Sequence, residues 1–160
     1  MGATDKTGRA IVNQFASMPY RLLLVSNNLN ELYQFTKKIT KEYPDAEIES
    51  LECIKDGCWE ADVIIIAVAP AEEKQVAELM KEVATQKIVV AVSGKENECE
   101  ELEKILPYSK VVNAYIKAET QQIFISGKNE TVNEEISKIF KQAGYQSAVL
   151  NDVHKHSINN

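Results

Sequence analysis

Histidine is nearly absent from this chain. Only His154 and His156 occur, and both lie in the polar run DVHKHSINN that closes it. This takes imidazole acid–base chemistry away from any cleft the rest of the chain forms. A pair spaced i, i+2 without further ligands reads as a solvated tail, and no metal site is expected. Cysteine is scarce too. Cys53, Cys58 and Cys99 are an odd number without metal-ligand spacing, which fits reduced thiols in a cytoplasmic protein. No Ser/His/Asp or Cys/His nucleophile arrangement can be assembled. No apolar run approaches membrane-spanning length, since the longest, DVIIIAVAPA, is strand-sized. No basic segment followed by an apolar stretch opens the chain, so no signal peptide is expected. There is no basic excess either. The formal net charge is −6, and the lysines are interleaved with glutamates, which argues against a nucleic-acid surface.

What is present is an alternation of helix and strand patterns. TGRAIVNQFASM has apolar residues near helical period and stops before Pro19. YRLLLVS has the continuous apolarity of a strand buried on both faces. NNLNELYQFTKKITKEYP is an amphipathic helix that Asn28 caps and Pro44 closes. AEIESLE reads as a more exposed strand and CIKDGCWEA as a helical turn. DVIIIAVAP is the strongest buried strand. AEEKQVAELMKEVATQ is a helix with glutamates in its first turn, where the dipole favours them. KIVVAVSG is a strand, ENECEELEKILP a short acidic helix, and SKVVNAYI and QQIFISG are strands. NETVNEEISKIFKQAG is a helix with Gly144 as its C-cap, and YQSAVLN is a last strand. The pattern predicts a three-layer α/β/α domain over residues 1–150 with a polar tail over 151–160. Its doubly wound, mostly parallel sheet has six to eight strands, with the last one or two open to an antiparallel course.

In such sheets ligands sit outside the carboxyl ends of the strands. The opening MGATDKTGR places Gly2 and Gly8 at the start of a helix. A nucleotide loop needs glycines for a tight turn, for close approach to the pyrophosphate and for close helix–strand packing. Gly2 and Gly8 suit the first and third roles, and the helix start supplies free N–H donors. Asp5 stands at the middle position and brings a like charge against a diphosphate, with Lys6 and Arg9 as partial compensation. The plainer alternative is an ordinary helix start capped by Asp5 or Thr7. After the next strand, Ser26 and Asn27 could hydrogen-bond a ribose, and Asn28 could simply cap the following helix.

The order GATDKTGRAIV, YRLLLVSNN, EADVIIIAVAP, KIVVAVSG, KVVNAY, QIFISG and AGYQSAVL resembles the dinucleotide-binding domain of the deazaflavin-dependent NADP oxidoreductase family. That family is related to the pyrroline-5-carboxylate reductases. The resemblance runs from Gly2 to about Leu150. It implies an NAD(P)-binding Rossmann-like fold in which Gly2, Ala3, Thr4 and Gly8 match the phosphate loop. Ser26 matches the family's Ser, whereas the Arg that follows it there is Asn27 here. Val68, Ala69 and Pro70 stand at the family's Ala-Val-Pro turn, with Ala69 an added residue. Ser93 and Gly94 fall near the place of a nicotinamide, and Ile116 takes the place of an active-site Asn.

The implied cofactor is NADP or NAD, and the implied reaction is hydride transfer by an oxidoreductase. Gly2, Thr4, Lys6, Thr7, Gly8 and Arg9 would hold the diphosphate and Ser26 and Asn27 the adenosine ribose. Val68, Pro70, Ser93 and Gly94 would line the nicotinamide half. The competing expectation is a degenerate Rossmann domain that binds or regulates without turnover. Two departures bear on both. The family's helical substrate domain has no counterpart in these residues, and neither has the first strand, which belongs at the centre of the sheet. Either that strand precedes Met1, with Met1 as its last residue, or the gap closes or borrows a strand from a second subunit. The first is preferred, while a homodimer would suit an incomplete sheet. No membrane or nucleic-acid partner is expected.

Overall fold

Strands that are apolar on both faces need helices above and below them, and the computed structural model has this arrangement. It describes residues 1–93, 100–117 and 119–150. The order is α1 (Lys6–Phe15), β1 (Leu22–Val25), α2 (Leu29–Glu42), β2 (Ile48–Leu51), α3 (Ile54–Glu60), β3 (Val63–Ile66) and α4 (Pro70–Met80). It continues with β4 (Ile88–Ser93), α5 (Glu100–Ile105), β5 (Lys110–Lys117), β6 (Gln122–Ser126), α6 (Glu130–Gln142) and β7 (Gln146–Val149). The fold is Rossmann-like, with mostly parallel strands. Gly94 and the tail over 151–160 lie outside the described residues.

The helices begin and end where local chemistry directs. Asn28 Oδ1 accepts from the Glu31 amide at 3.2 Å, and Asn129 Oδ1 from that of Val132 at 3.1 Å. Both satisfy amides that a helix start leaves without intrahelical partners. After α6 the chain turns at Gly144 with φ +92°, and the Tyr145 amide returns to Phe140 O at 3.0 Å. Two helices stop earlier than the periodicity predicts. α1 ends at Phe15, where Met18 N–H turns back to Phe15 O. α4 ends at Met80, and turns over 81–86 tuck Ala84 fully into the core.

Side-chain alternation assigns the layers. Val12 of α1 and Leu32, Phe35 and Ile39 of α2 pack with Leu24. On the same face, Ile11 and Phe15 of α1 and Ile136 and Phe140 of α6 pack over β4, β5 and β6, and Val63 and Ile65 lean against them. Their neighbours Ile64 and Ile66 point the other way, into a cluster with Cys58 of α3, Met80 of α4 and Leu102 of α5. Each such aliphatic or aromatic side chain contributes about 1.5–3 kcal/mol when fully buried.

The sheet is split. β1 and β2 pair in parallel, and β3-β4-β5-β6-β7 form a separate five-stranded sheet. Its first three strands are parallel. β6 is antiparallel to β5 and β7 parallel to β6, so the last two strands run against the rest. Between β1 and β3 lies a slot of about 590 Å³, lined from β1, β3, α1, α3 and α6. Met1 closes one end of it. Its amine donates to Ile65 O at 2.8 Å, and its carbonyl accepts from the Ala67 amide at 3.0 Å. That is the bonding of a parallel strand residue seated opposite Ile66. Two residues on, the Ala3 amide donates to Val25 O at 3.1 Å, on the far side.

Candidate functional site

The carboxyl ends of β1 and β3 converge on the start of α1, and two glycines make that convergence possible. Gly2 has φ +73°, and a Cβ there would lie 2.5 Å from Ala67 O and 2.8 Å from Val68 Cγ1. A Cβ on Gly8 would lie 1.9 Å from Gly2 O. The first turn of α1 therefore rests directly on the backbone of the loop, and the loop rests on the end of β3. No other residue type fits either position without moving the backbone.

Asp5 is the N-cap by backbone conformation, with φ −70° and ψ 159°, and its carbonyl accepts from the Arg9 amide at 2.8 Å. Its exposed side chain makes no capping hydrogen bond. The amides of Lys6, Thr7 and Gly8 head the helix, where an anion is favoured by both the donors and the dipole. The side chains of Lys6 and Thr7 are exposed beside them, and Gly8 is buried.

Thr4 and Ser26 are both buried and share a hydrogen bond of 2.6 Å, which ties the loop to the end of β1. Ser26 Oγ also accepts from the Asn28 amide at 3.3 Å. Asn27 is exposed between them. Arg9 turns towards α2. Its Nε donates to Thr4 O at 2.7 Å, its Nη2 pairs with Glu31 at 2.5 Å, and its guanidinium lies 4.6 Å from the Phe35 ring centre. Val68 abuts Gly2, and Pro70 opens α4 at its first turn, behind Ala69. Ser93 ends β4, and Gly94 lies outside the described residues. The fold thus brings Gly2, Thr4, Gly8, Arg9, Ser26 and Val68 into one neighbourhood. Lys6, Thr7, Asn27 and Pro70 stand at its rim.

Two participants are invisible in the sequence pattern. Glu31 and Phe35 hold Arg9 from a helix that begins twenty residues later in the chain, and no local spacing signals such a pairing. Asn113 is buried at 3 % exposure in β5, opposite Ala91 of β4 and Ser126 of β6. The family resemblance places the polar position of this strand at Ile116, whereas Asn113 is its buried polar residue. A lone Asn inside the apolar run VVNAYI was the available signal. Among the described residues no group of three or more His, Cys, Asp or Glu could hold a metal ion. No described helix is long and apolar enough to cross a membrane.

No protein-family model matches the chain, and no curated protein does. Solved structures do match. A pyrroline-5-carboxylate reductase from Coxiella burnetii superposes with a TM-score of 0.74 at 19% identity, over 93% of this chain and 57% of that one. A candidate F420-dependent NADP reductase from Arthrobacter sp. FB24 gives 0.72 at 15%, over 91% of this chain and 80% of that one. A pyrroline carboxylate reductase from Plasmodium falciparum with NADP bound gives 0.69 at 15%, over 96% and 57%. This chain thus spans little more than half the length of the two pyrroline carboxylate reductases. It has the Rossmann-like fold of these reductases.

Proposed function

We propose that the domain binds NADP or NAD, with the diphosphate seated on the amides that open α1, as part of an NAD(P)-dependent oxidoreductase of the cytoplasm. The observation that carries this reading is the pair of glycine contacts. Gly2 lies against Ala67 O and Gly8 against Gly2 O, closer than any side chain allows, while the Asp5 carboxylate makes no bond to the helix amides. A plain helix start needs neither glycine. The NADP held by the Plasmodium structure supports the choice of ligand class.

In this reading Gly2, Thr4, Lys6, Thr7, Gly8 and Arg9 surround the diphosphate. Ser26 and Asn27 offer hydrogen bonds to the adenosine ribose. Val68, Pro70 and the end of β4 at Ser93 border the nicotinamide half. The nicotinamide supplies hydride chemistry when bound, and this chain orients it. Thermal unfolding with and without NADPH or NADH tests the reading. Ligand at 100 times its Kd adds about 2.7 kcal/mol, a rise of roughly 5–10 °C for a chain of this size. No rise with either dinucleotide would overturn it.

Two observations favour a second reading, a binding module without turnover. The exposed Asp5 sits at the mouth of the cradle, and Arg9 is already paired with Glu31. Weak dinucleotide binding that strengthens in Asp5→Gly, with no hydride transfer in either form, would select it.

A further inference from the structure

We propose that this chain selects NAD(H) over NADP(H), and that the Glu31 carboxylate is the selecting group. The inference rests on the dinucleotide reading above and deepens it at the adenosine ribose. Five hydrogen bonds close a circuit around the carboxyl end of β1. Thr4 Oγ1 and Ser26 Oγ lie 2.6 Å apart, and Ser26 Oγ accepts from the Asn28 amide at 3.3 Å. Asn28 Nδ2 donates to Glu31 Oε2 at 3.2 Å, and Glu31 Oε1 accepts from Arg9 Nη2 at 2.5 Å. Arg9 Nε completes the ring by donating to Thr4 O at 2.7 Å.

Residues just past such a strand meet the adenosine ribose, where an acidic group accepts a 2′-hydroxyl and a nearby Arg accommodates a 2′-phosphate. Here Ser26, Asn27 and Asn28 follow the strand, and none is charged. The next charged residue in the chain is Glu31, which the first turn of α2 brings back against the Asn28 side chain. Its side chain is 44% exposed, so a ligand can reach it. Arg9 supplies the circuit's cation, but it is committed to Thr4 O, to Glu31 and to the face of Phe35.

The two cofactors differ only at the 2′ position. An ionised carboxylate is an acceptor only, and it can take the proton of a 2′-hydroxyl. A 2′-phosphate monoester at neutral pH is also an acceptor and carries a charge of about −1.5 to −2. Beside Glu31 it meets a like charge with no proton to share. Asp5, exposed on the loop, adds a second carboxylate to the same neighbourhood. Because Glu31 and Arg9 are both partly exposed, solvent and salt moderate the repulsion, and a preference of about tenfold is expected at low ionic strength.

The test is calorimetric titration with NADH and with NADPH at low salt, on the unsubstituted chain and on Glu31→Gln. The substitution keeps the helix cap, because Asn28 Oδ1 accepts from the backbone amide of residue 31. The diphosphate is common to both ligands and cancels in the ratio of their dissociation constants. The unsubstituted chain should bind NADH about tenfold more tightly than NADPH. Glu31→Gln should bring the two to within about threefold of each other, and Glu31→Lys should invert the order. The same shift should appear when Glu31→Gln is made together with Arg9→Gln and compared with Arg9→Gln alone, which separates repulsion by Glu31 from release of Arg9. A shift that vanishes in that background would remove Glu31 as the selecting group. Equal or tighter binding of NADPH by the unsubstituted chain, or an unchanged ratio in Glu31→Gln, would overturn the inference and leave dinucleotide binding standing. Binding of neither dinucleotide would overturn the reading beneath it, and the inference with it.

Discussion

Acetylating the Met1 amine should stabilise this chain, and only at low pH. The amine donates to Ile65 O at 2.8 Å from a part-buried position. Desolvation lowers its pKa from 8.0 to about 6, against smaller opposing effects of Cys58 and Asp5. Above pH 8 the group is neutral in both states and has no effect. Between pH 8 and 6 the unfolded chain holds a proton that the folded chain releases, so stability falls as pH falls. Below pH 6 both states are protonated and the loss is complete, at about 2–3 kcal/mol for a shift of this size. An acetylated amide keeps the N–H bond to Ile65 and cannot charge. Urea unfolding of the free and acetylated chains from pH 5 to 9 measures the difference, in which all other titrations cancel. Intact mass would verify that Met1 is retained. The two should coincide at pH 9 and part by about 2–3 kcal/mol at pH 5. A difference that stays flat across the range would refute the seating of Met1 in the β3 ladder.

Other substitutions probe the site. Gly8→Ala places a Cβ on Gly2 O. It should cost at least the roughly 1–3 kcal/mol typical of overpacking, measured by urea unfolding, and should weaken dinucleotide binding further. Glu31→Gln removes an exposed partner of Arg9. Stability should change by less than about 1 kcal/mol, while NADPH affinity, measured by calorimetry, should rise as Arg9 is freed. Cys58 is fully buried and its thiol is pushed up to about 11, whereas Cys53 is exposed. Native-state alkylation at pH 8, read by peptide mass, should modify Cys53 well before Cys58.

Much of the fold is legible in the residues because strands covered on both faces must be continuously apolar. LLLV, VIII and IVVAVS state this directly, and Asn28 and Gly144 punctuate the helices through local hydrogen bonds and a positive φ. Helix ends are less legible. Ala84 is drawn into the core from outside α4, a demand of tertiary packing that periodicity does not carry. The split sheet is a property of two edges that meet only in space. In the site, the glycine spacing is legible because its cause is steric and local. The grip of Glu31 and Phe35 on Arg9 is long-range and leaves no mark in the spacing. Asn113 is legible as a polar residue inside an apolar strand, three positions before the Ile116 that the resemblance marks.

The most direct measurement of the central claim is the response of individual backbone amides to NADPH by two-dimensional NMR. The largest shifts should fall on Lys6, Thr7 and Gly8, saturating together, with smaller ones at Ser26 and Val68. Millimolar NADPH that leaves those three amides unmoved would contradict the account.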